Sequence, residues 1–183
     1  MIHRQSSSRH SPGQTYDPLM TEDELIAVIR ATAAERGLPA PASESHVAEA
    51  ERVIGYPIPR LLRRLYLEVA DGGFGPGRGR FGVLGVHAPG IDEELITFAY
   101  DQGLWDLEDV RIPYGLVKFY DWGCAMWSLV DFRNPSGPMW GADNGQLFRE
   151  HVDLAEWLAR AVDGTLSAPD SGKHSDSISI SAD

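Results

Sequence analysis

The chain has 183 residues, of which 43% are hydrophobic, enough for one domain with a buried core and two short tails. Its formal net charge of −11 opposes binding to phosphate backbones and anionic membranes, so neither a nucleic acid nor a membrane is an expected partner. One cysteine excludes an internal disulfide, and no signal-like apolar segment opens the chain, so we expect a cytoplasmic protein.

The N-terminal part predicts a tail followed by a helix. Residues 1–20 are polar, contain three consecutive serines and are predicted to be disordered. Thr21 and Glu24 have the spacing of a capping box, and an apolar stripe follows them with helical periodicity. Gly37 is placed to end this helix. The domain is therefore predicted to span 21–164, with a second polar and disordered tail at 165–183.

Two more helices are predicted before the middle of the chain. The second begins after Ser43 or Ser45, and the third begins at Pro59, two residues after Pro57, with apolar residues at helical spacing. Several glycines end the third helix and lead into a strand over Phe81–Val86. The glycines expected to have a structural role there are Gly72, placed as a left-handed helix cap, Gly73 and Gly75.

One pattern in this glycine stretch matches the phosphate-binding sequence GxGxxG at Gly77, Gly79 and Gly82. A dinucleotide loop follows a strand and opens a helix, whereas this one follows a helix and opens a strand. We therefore interpret it as a structural turn that needs positive φ angles, and we expect no nucleotide and no other cofactor.

The region between Arg80 and Arg111 contains seven carboxylates and no Lys or Arg. Its first part, Ile91–Tyr100, predicts a helix. An interval with this charge is either a solvated face or a surface that faces a partner. The residues of its second part that we interpret as partner-binding are Trp105, Asp106, Glu108 and Asp109.

A hairpin is predicted in the centre of the sheet, with strands over Leu116–Tyr120 and Cys124–Val130. Asp121, Trp122 and Gly123 would form its turn, with the Asp121 carboxylate bonded to backbone N–H groups and a positive φ at Gly123. Trp122 at the tip is either an exposed partner-binding residue, together with Asp121, or a side chain folded back over the sheet.

The rest of the chain predicts two short strands, Met139–Trp140 and Gln146–Phe148, and a closing helix. Asp153 is placed as the N-cap of that helix, and Gly164 is placed to end it. The fold class is therefore α+β, with N-terminal helices, a central and mostly antiparallel sheet, and a closing C-terminal helix.

No residue pattern predicts catalysis or metal binding. Cys124 is the one thiol, but it falls inside an apolar predicted strand, which favours a small buried side chain over a nucleophile. The six histidines form no metal-binding motif. Asp121 and Asp131 lie about 33 Å apart along an extended strand, too far for a catalytic pair. We expect a protein that is not an enzyme and holds no metal.

Three stretches resemble the SMI1/KNR4 (SUKH) family, in the right order between Ser43 and Gly164. The first is PIPRLLRRLYLEVADGGFGPG, which begins at Pro57. The second is Asp121-Trp122-Gly123-Cys124, with Asp131 and the run GPMW after it, and the third is LAEWL near the C-terminus. The sequence departs from the family at Ala125, where a glycine is usual, and in the run SLV before Asp131.

The resemblance implies a protein-binding role. Bacterial members look like immunity proteins that neutralise a cognate toxin, often a nuclease, and a basic toxin domain would complement an acidic chain. Fungal members look like interaction or scaffold proteins in cell-wall synthesis and signalling, which is the alternative. A small hydrolase that uses Cys124 is the third hypothesis.

Overall fold

The computed structural model describes residues 20–76, 82–87, 95–103, 112–143, 146–170 and 172. Helices open and close this part of the chain and four strands lie between them, so the predicted α+β class is confirmed. The helices are α1 (Glu22–Arg36), α2 (Glu44–Ile54), α3 (Arg60–Glu68), α4 (Ile96–Gly103) and α5 (Leu154–Asp163). The strands are β1 (Leu116–Gly123), β2 (Met126–Asp131), β3 (Pro138–Asp143) and β4 (Gln146–Asp153).

Local sequence signals set three helix starts, as predicted. The Thr21 hydroxyl accepts a hydrogen bond from the Glu24 backbone, and the Glu24 carboxylate accepts one from the Thr21 N–H, which completes the capping box. Ser43 rather than Ser45 is the N-cap of α2. Asp153 caps α5, its Oδ1 accepting from the N–H of Glu156 at 3.0 Å. Each cap satisfies an N–H group that has no partner inside the helix.

The four strands form an antiparallel sheet in chain order, β1-β2-β3-β4. Its inner face contributes Val117, Phe119, Val130 and Met139 to a core shared with α1, α2, α3 and α5. A smaller apolar cluster, with Leu129 and Trp140 at its centre, lies on the opposite face. β1 is the edge of this sheet rather than its centre. Residue Val83 forms one antiparallel bridge to it.

The helices before the hairpin differ from the prediction at their ends. Pro59 is the N-cap of α3 rather than its first residue, and α3 ends at Glu68, so Gly72 is not its cap. The predicted helix from Ile91 begins only at Ile96, because Leu95 pairs with Gly85 and the Ile96 N–H donates to the Gly85 carbonyl at 2.9 Å. Residues 91–94 lie outside the described residues.

The predicted strand Phe81–Val86 and the two C-terminal strands also differ in length. Val83 and Gly85 each form a single bridge instead of a strand, and Phe81 lies outside the described residues. β3 and β4 are longer than predicted. After α5 the described chain continues to Asp170, and Pro169 is buried beside Gly141.

The hairpin turn lies two residues later than predicted. β1 continues through Asp121, Trp122 and Gly123, and the turn consists of Cys124 and Ala125, with φ angles of 53° and 62°. Positive φ at both central residues matches the right-handed twist of the two strands. Cys124 is therefore exposed at the tip, and the prediction that it is buried in a strand was wrong.

Candidate protein-interaction site

The glycine turn after α3 allows two backbone segments to approach closely. The Gly73 N–H donates to the Val83 carbonyl at 2.7 Å, and the Val83 N–H donates to the Phe74 carbonyl at 2.9 Å. A Cβ atom on Gly72 would lie 2.7 Å from the backbone nitrogen of Gly85, and one on Gly82 would lie 2.5 Å from the Gly73 carbonyl oxygen. Side chains are therefore excluded at both positions by backbone atoms.

Two buried tyrosines and one aspartate hold this turn in place. The Tyr66 hydroxyl donates to the Leu84 carbonyl at 2.6 Å, and the Tyr120 hydroxyl donates to the Pro76 carbonyl at 2.7 Å. The Asp71 carboxylate accepts from the N–H groups of Val86 and His87 at 2.7 and 3.0 Å. Burial raises the pKa of Asp71, and these hydrogen bonds oppose that rise. The hydrogen bonds of the described part of the turn therefore have a structural role.

Trp122 lies near the end of β1 and folds back over the sheet. Its indole ring is half-buried, with its centroid 4.8 Å from that of Tyr120 and 6.4 Å from that of Trp157, in edge-on geometry. Asp121 is also half-buried, and its Oδ1 accepts from the Gly123 N–H at 2.7 Å. Both residues therefore have intramolecular roles, and each leaves part of its side chain accessible to a partner.

A chain of hydrogen bonds leads from Trp122 into the interior. Trp122 Nε1 donates to Ser128 Oγ at 3.0 Å, and Ser128 Oγ donates to Glu150 Oε1 at 3.0 Å. Burial raises the pKa of Glu150 to about 7, although the hydrogen bond from Ser128 and the charge of Arg160 both act in the opposite direction. This carboxylate was not among the residues predicted from the sequence. Its signal is the alternation in β4, where Glu150 follows the buried Phe148 by two residues, before the β4 register shifts near His151.

The four residues of the acidic interval that were interpreted as partner-binding lie outside the described residues. These are Trp105, Asp106, Glu108 and Asp109. The described part of the chain therefore places two of the six partner-binding candidates, Asp121 and Trp122, at the hairpin.

The described arginines are mostly used by the fold itself. Arg64 pairs with Asp23 and with Glu68, both at 2.8 Å, and so connects α3 to α1. Seven of the ten Lys and Arg residues in the described ranges form ion pairs of this kind. They are Arg30, Arg52, Arg60, Arg63, Arg64, Arg133 and Arg160. The interval between Arg80 and Arg111 contributes seven negative charges and no Lys or Arg to the net charge of −11.

Groups of metal ligands and membrane-spanning helices are both missing from the same described ranges. No three His, Cys, Asp or Glu residues there come together in an arrangement that could hold a metal ion. None of the described helices has the length and apolarity that crossing a membrane requires. Cys124 is exposed at the hairpin tip. The imidazole rings of His46 and His87 stack on each other.

Comparison with known proteins decides the family. Residues 41–160 match the SMI1 / KNR4 family (SUKH-1). The chain belongs to this family. The match covers nearly two thirds of the chain, from just before α2 to Arg160 in α5, and includes the glycine turn and the hairpin. Helix α1 precedes it. No curated protein and no solved structure gives a significant match.

Membership gives a structural meaning to the departure at Ala125. The SUKH-1 hairpin of this chain has two non-glycine residues with positive φ at its tip, and Ala125 is the second of them. A left-handed conformation costs an L-residue about 1–2 kcal/mol, and glycine avoids this cost. The tip is therefore strained at Cys124 and Ala125.

Proposed function

We propose that this SUKH-1 protein is a non-enzymatic immunity protein that binds a basic toxin domain in the cytoplasm and neutralises it. The observation that carries the proposal is membership of the family over residues 41–160. The charge supports it, because the net charge is −11 and seven carboxylates lie between Arg80 and Arg111 without a Lys or Arg. A nuclease is the toxin type that fits best, since surfaces that bind phosphate backbones are basic.

The proposed interface is the second part of the acidic interval, with Asp121 and Trp122 as additional contacts. A run of seven carboxylates without a Lys or Arg among them attracts a basic partner over a long range. Such attraction raises the association rate more than the final affinity, and salt weakens it. Binding alone accounts for neutralisation if the partner's own phosphate-binding surface is covered.

Charge reversal tests this interface. The triple variant Asp106→Lys, Glu108→Lys and Asp109→Lys is expected to slow association with the partner at low salt at least tenfold. The matched control reverses three exposed carboxylates elsewhere, Glu35→Lys, Glu49→Lys and Asp163→Lys, for the same change in net charge. Equal rates for the two triple variants would show that the interval is not the interface.

Two further measurements separate this function from the alternatives. Co-expression should protect cells from a lethal partner, whereas an interaction or scaffold module in cell-wall or signalling regulation has a partner that is not lethal. The variant Cys124→Ser should protect as well as the native chain, although exposed Cys124 should be alkylated rapidly in the folded protein. Loss of protection on this substitution would favour the hydrolase hypothesis.

A further inference from the structure

A groove of about 280 Å³ lies between α1, α5 and the glycine turn. Its floor is apolar and consists of Ile29 and Ala33 from α1, Phe74 from the turn and Leu158 from α5, all of them buried. Val162 stands at the rim and is 38% exposed. This volume lies just below the range of about 300–1,000 Å³ for ligand pockets, so the groove fits one or two side chains rather than a whole helix.

Arg36 is the charged residue among the described residues that line this groove. Its guanidinium donates to the Gly75 carbonyl at 3.2 Å. The other described arginines either pair with a carboxylate of the same chain or, as with Arg149, lie over a tryptophan ring, 4.9 Å from its centroid. An arginine has five N–H donors, so Arg36 keeps donors for an anionic group at the groove.

Half of the residues that line the groove precede the region that matches the family, residues 41–160. Ile29, Ala33 and Arg36 lie on α1, which precedes the match at residues 41–160, whereas Phe74 and Leu158 lie within it. The buried side chains of Leu25, Ile26 and Ile29 and the ion pair between Arg64 and Asp23 hold α1 against the rest of the domain. The groove is therefore formed before a partner binds, and its occupant does not have to order it.

We propose that this groove binds a segment of the protein partner in which an apolar side chain stands next to an Asp or Glu. The apolar side chain would occupy the floor of the groove, and the carboxylate would pair with Arg36. Guanidinium and carboxylate groups match in geometry as well as in charge. The inference rests on the proposed function in one respect, namely that the chain binds a protein, and it adds a second contact on the side of α1 and α5.

Methyl NMR on the full chain tests the groove with a defined peptide. The probe is acetyl-Gly-Leu-Glu-Gly-amide, and two matched peptides replace its Glu by Gln or its Leu by Ser. Saturable shifts are expected at the methyl groups of Ile29, Leu158 and Val162. The Gln peptide should bind about two- to fivefold more weakly, as for an exposed ion pair. The Ser peptide should bind about tenfold more weakly or worse, because it lacks the apolar side chain.

Variants of the rim make the result specific. Arg36→Gln should abolish the difference between the Glu and Gln peptides, and Val162→Glu should weaken the Glu peptide by placing a carboxylate in the groove. Val53→Glu is the matched control, since Val53 is 45% exposed on α2 and does not line the groove. It should leave binding unchanged.

Several outcomes would overturn the inference. They are the absence of saturable shifts, shifts confined to residues outside the groove, or equal binding of the Glu and Gln peptides to the native chain. None of these bears on the acidic interval, because the peptides carry no positive charge and the charge-reversal experiment does not alter the groove. Failure of the groove and failure of the immunity proposal are therefore distinguishable.

Discussion

Ser128 Oγ stands between Trp122 Nε1 and the Glu150 carboxylate, accepting a 3.0 Å hydrogen bond from the first and donating one of 3.0 Å to the second. The hydroxyl thus connects the hairpin end of β1 through β2 to the interior side of β4. Ser128 is fully buried. Loss of any of the three hydrogen-bonded side chains therefore leaves a polar group without its partner.

Glu150 should make folding stability depend on pH near neutrality. Burial raises its pKa from 4.5 to about 7, so between these values the folded protein binds more protons than the unfolded one. The free energy of unfolding should therefore fall as pH rises from about 4.5 to about 7. Glu150→Gln removes this contribution and should be more stable than the native chain at pH 8 by about 1–3 kcal/mol.

Urea unfolding at pH 5 and pH 8 measures this difference. Glu35→Gln is the control, since Glu35 is exposed, and it should track the native chain at both values. If Glu150→Gln showed the same fall in stability between pH 5 and pH 8 as the native chain, the dependence would arise from other groups.

Ser128→Ala should destabilise the fold by about 1–3 kcal/mol, because half-buried Trp122 and Glu150 both lose a hydrogen-bond partner. It should also raise the pKa of Glu150 further, since the hydrogen bond from Ser128 lowers that pKa. Denaturant titration gives the first value, and NMR titration of the Glu150 side chain gives the second. Ser136→Ala, at an exposed turn position, should change neither. A pKa of Glu150 that did not move in Ser128→Ala would mean that the hydroxyl does not bind the carboxylate.

Ala125→Gly should stabilise the protein by about 0.5–1 kcal/mol. Ala125 has a φ of 62° at the hairpin tip, and the relief of this strain outweighs the extra freedom that glycine gives to the unfolded chain. Ala34→Gly is the opposite control, in an exposed position inside α1, and should cost about 1 kcal/mol. Thermal or urea unfolding compares the two. Destabilisation by both substitutions would contradict the left-handed turn.

Gly72→Ala should destabilise the protein by about 2–3 kcal/mol, because it combines a positive φ with a clash against the backbone of Gly85. Gly55→Ala separates these two effects. Gly55 has a similar φ of 80°, but no atom lies within 4 Å of where its Cβ would be. Gly55→Ala should therefore lower the free energy of unfolding by about 1 kcal/mol. Equal losses for the two variants would show that the two backbone segments do not approach as closely as described.

The parts of the fold that the sequence predicted correctly are those with local causes. The caps at Thr21, Ser43 and Asp153 depend on side chains within three residues of the N–H groups that they satisfy. Pairing between backbone segments decided the differences. Pairing of Leu95 with Gly85 precedes the start of α4, and pairing of Asp121 with Trp127 and of Gly123 with Met126 extends β1 to Gly123.

The candidate site shows the same division. The charge of the acidic interval could be read directly from the sequence, because it needs only a count. The relay from Trp122 through Ser128 to Glu150 could not, since it joins three strands and depends on their register. Alternation in β4 indicates which face Glu150 occupies, but only the assembled sheet shows what it meets there. Similarly, the difference between Arg36 and the other described arginines, which lie beside carboxylates or over Trp140, depends on the folded structure.

The most direct test of the central claim, that this SUKH-1 protein neutralises a basic toxin, is affinity capture from the native cell lysate at low salt. The captured proteins are identified by mass spectrometry, and the capture is repeated at high salt. The account predicts one basic protein in equal amount to the bait, lethal when expressed alone and lost at high salt. Recovery of kinases or cell-wall synthesis enzymes, or of no partner at all, would contradict it and favour the scaffold alternative.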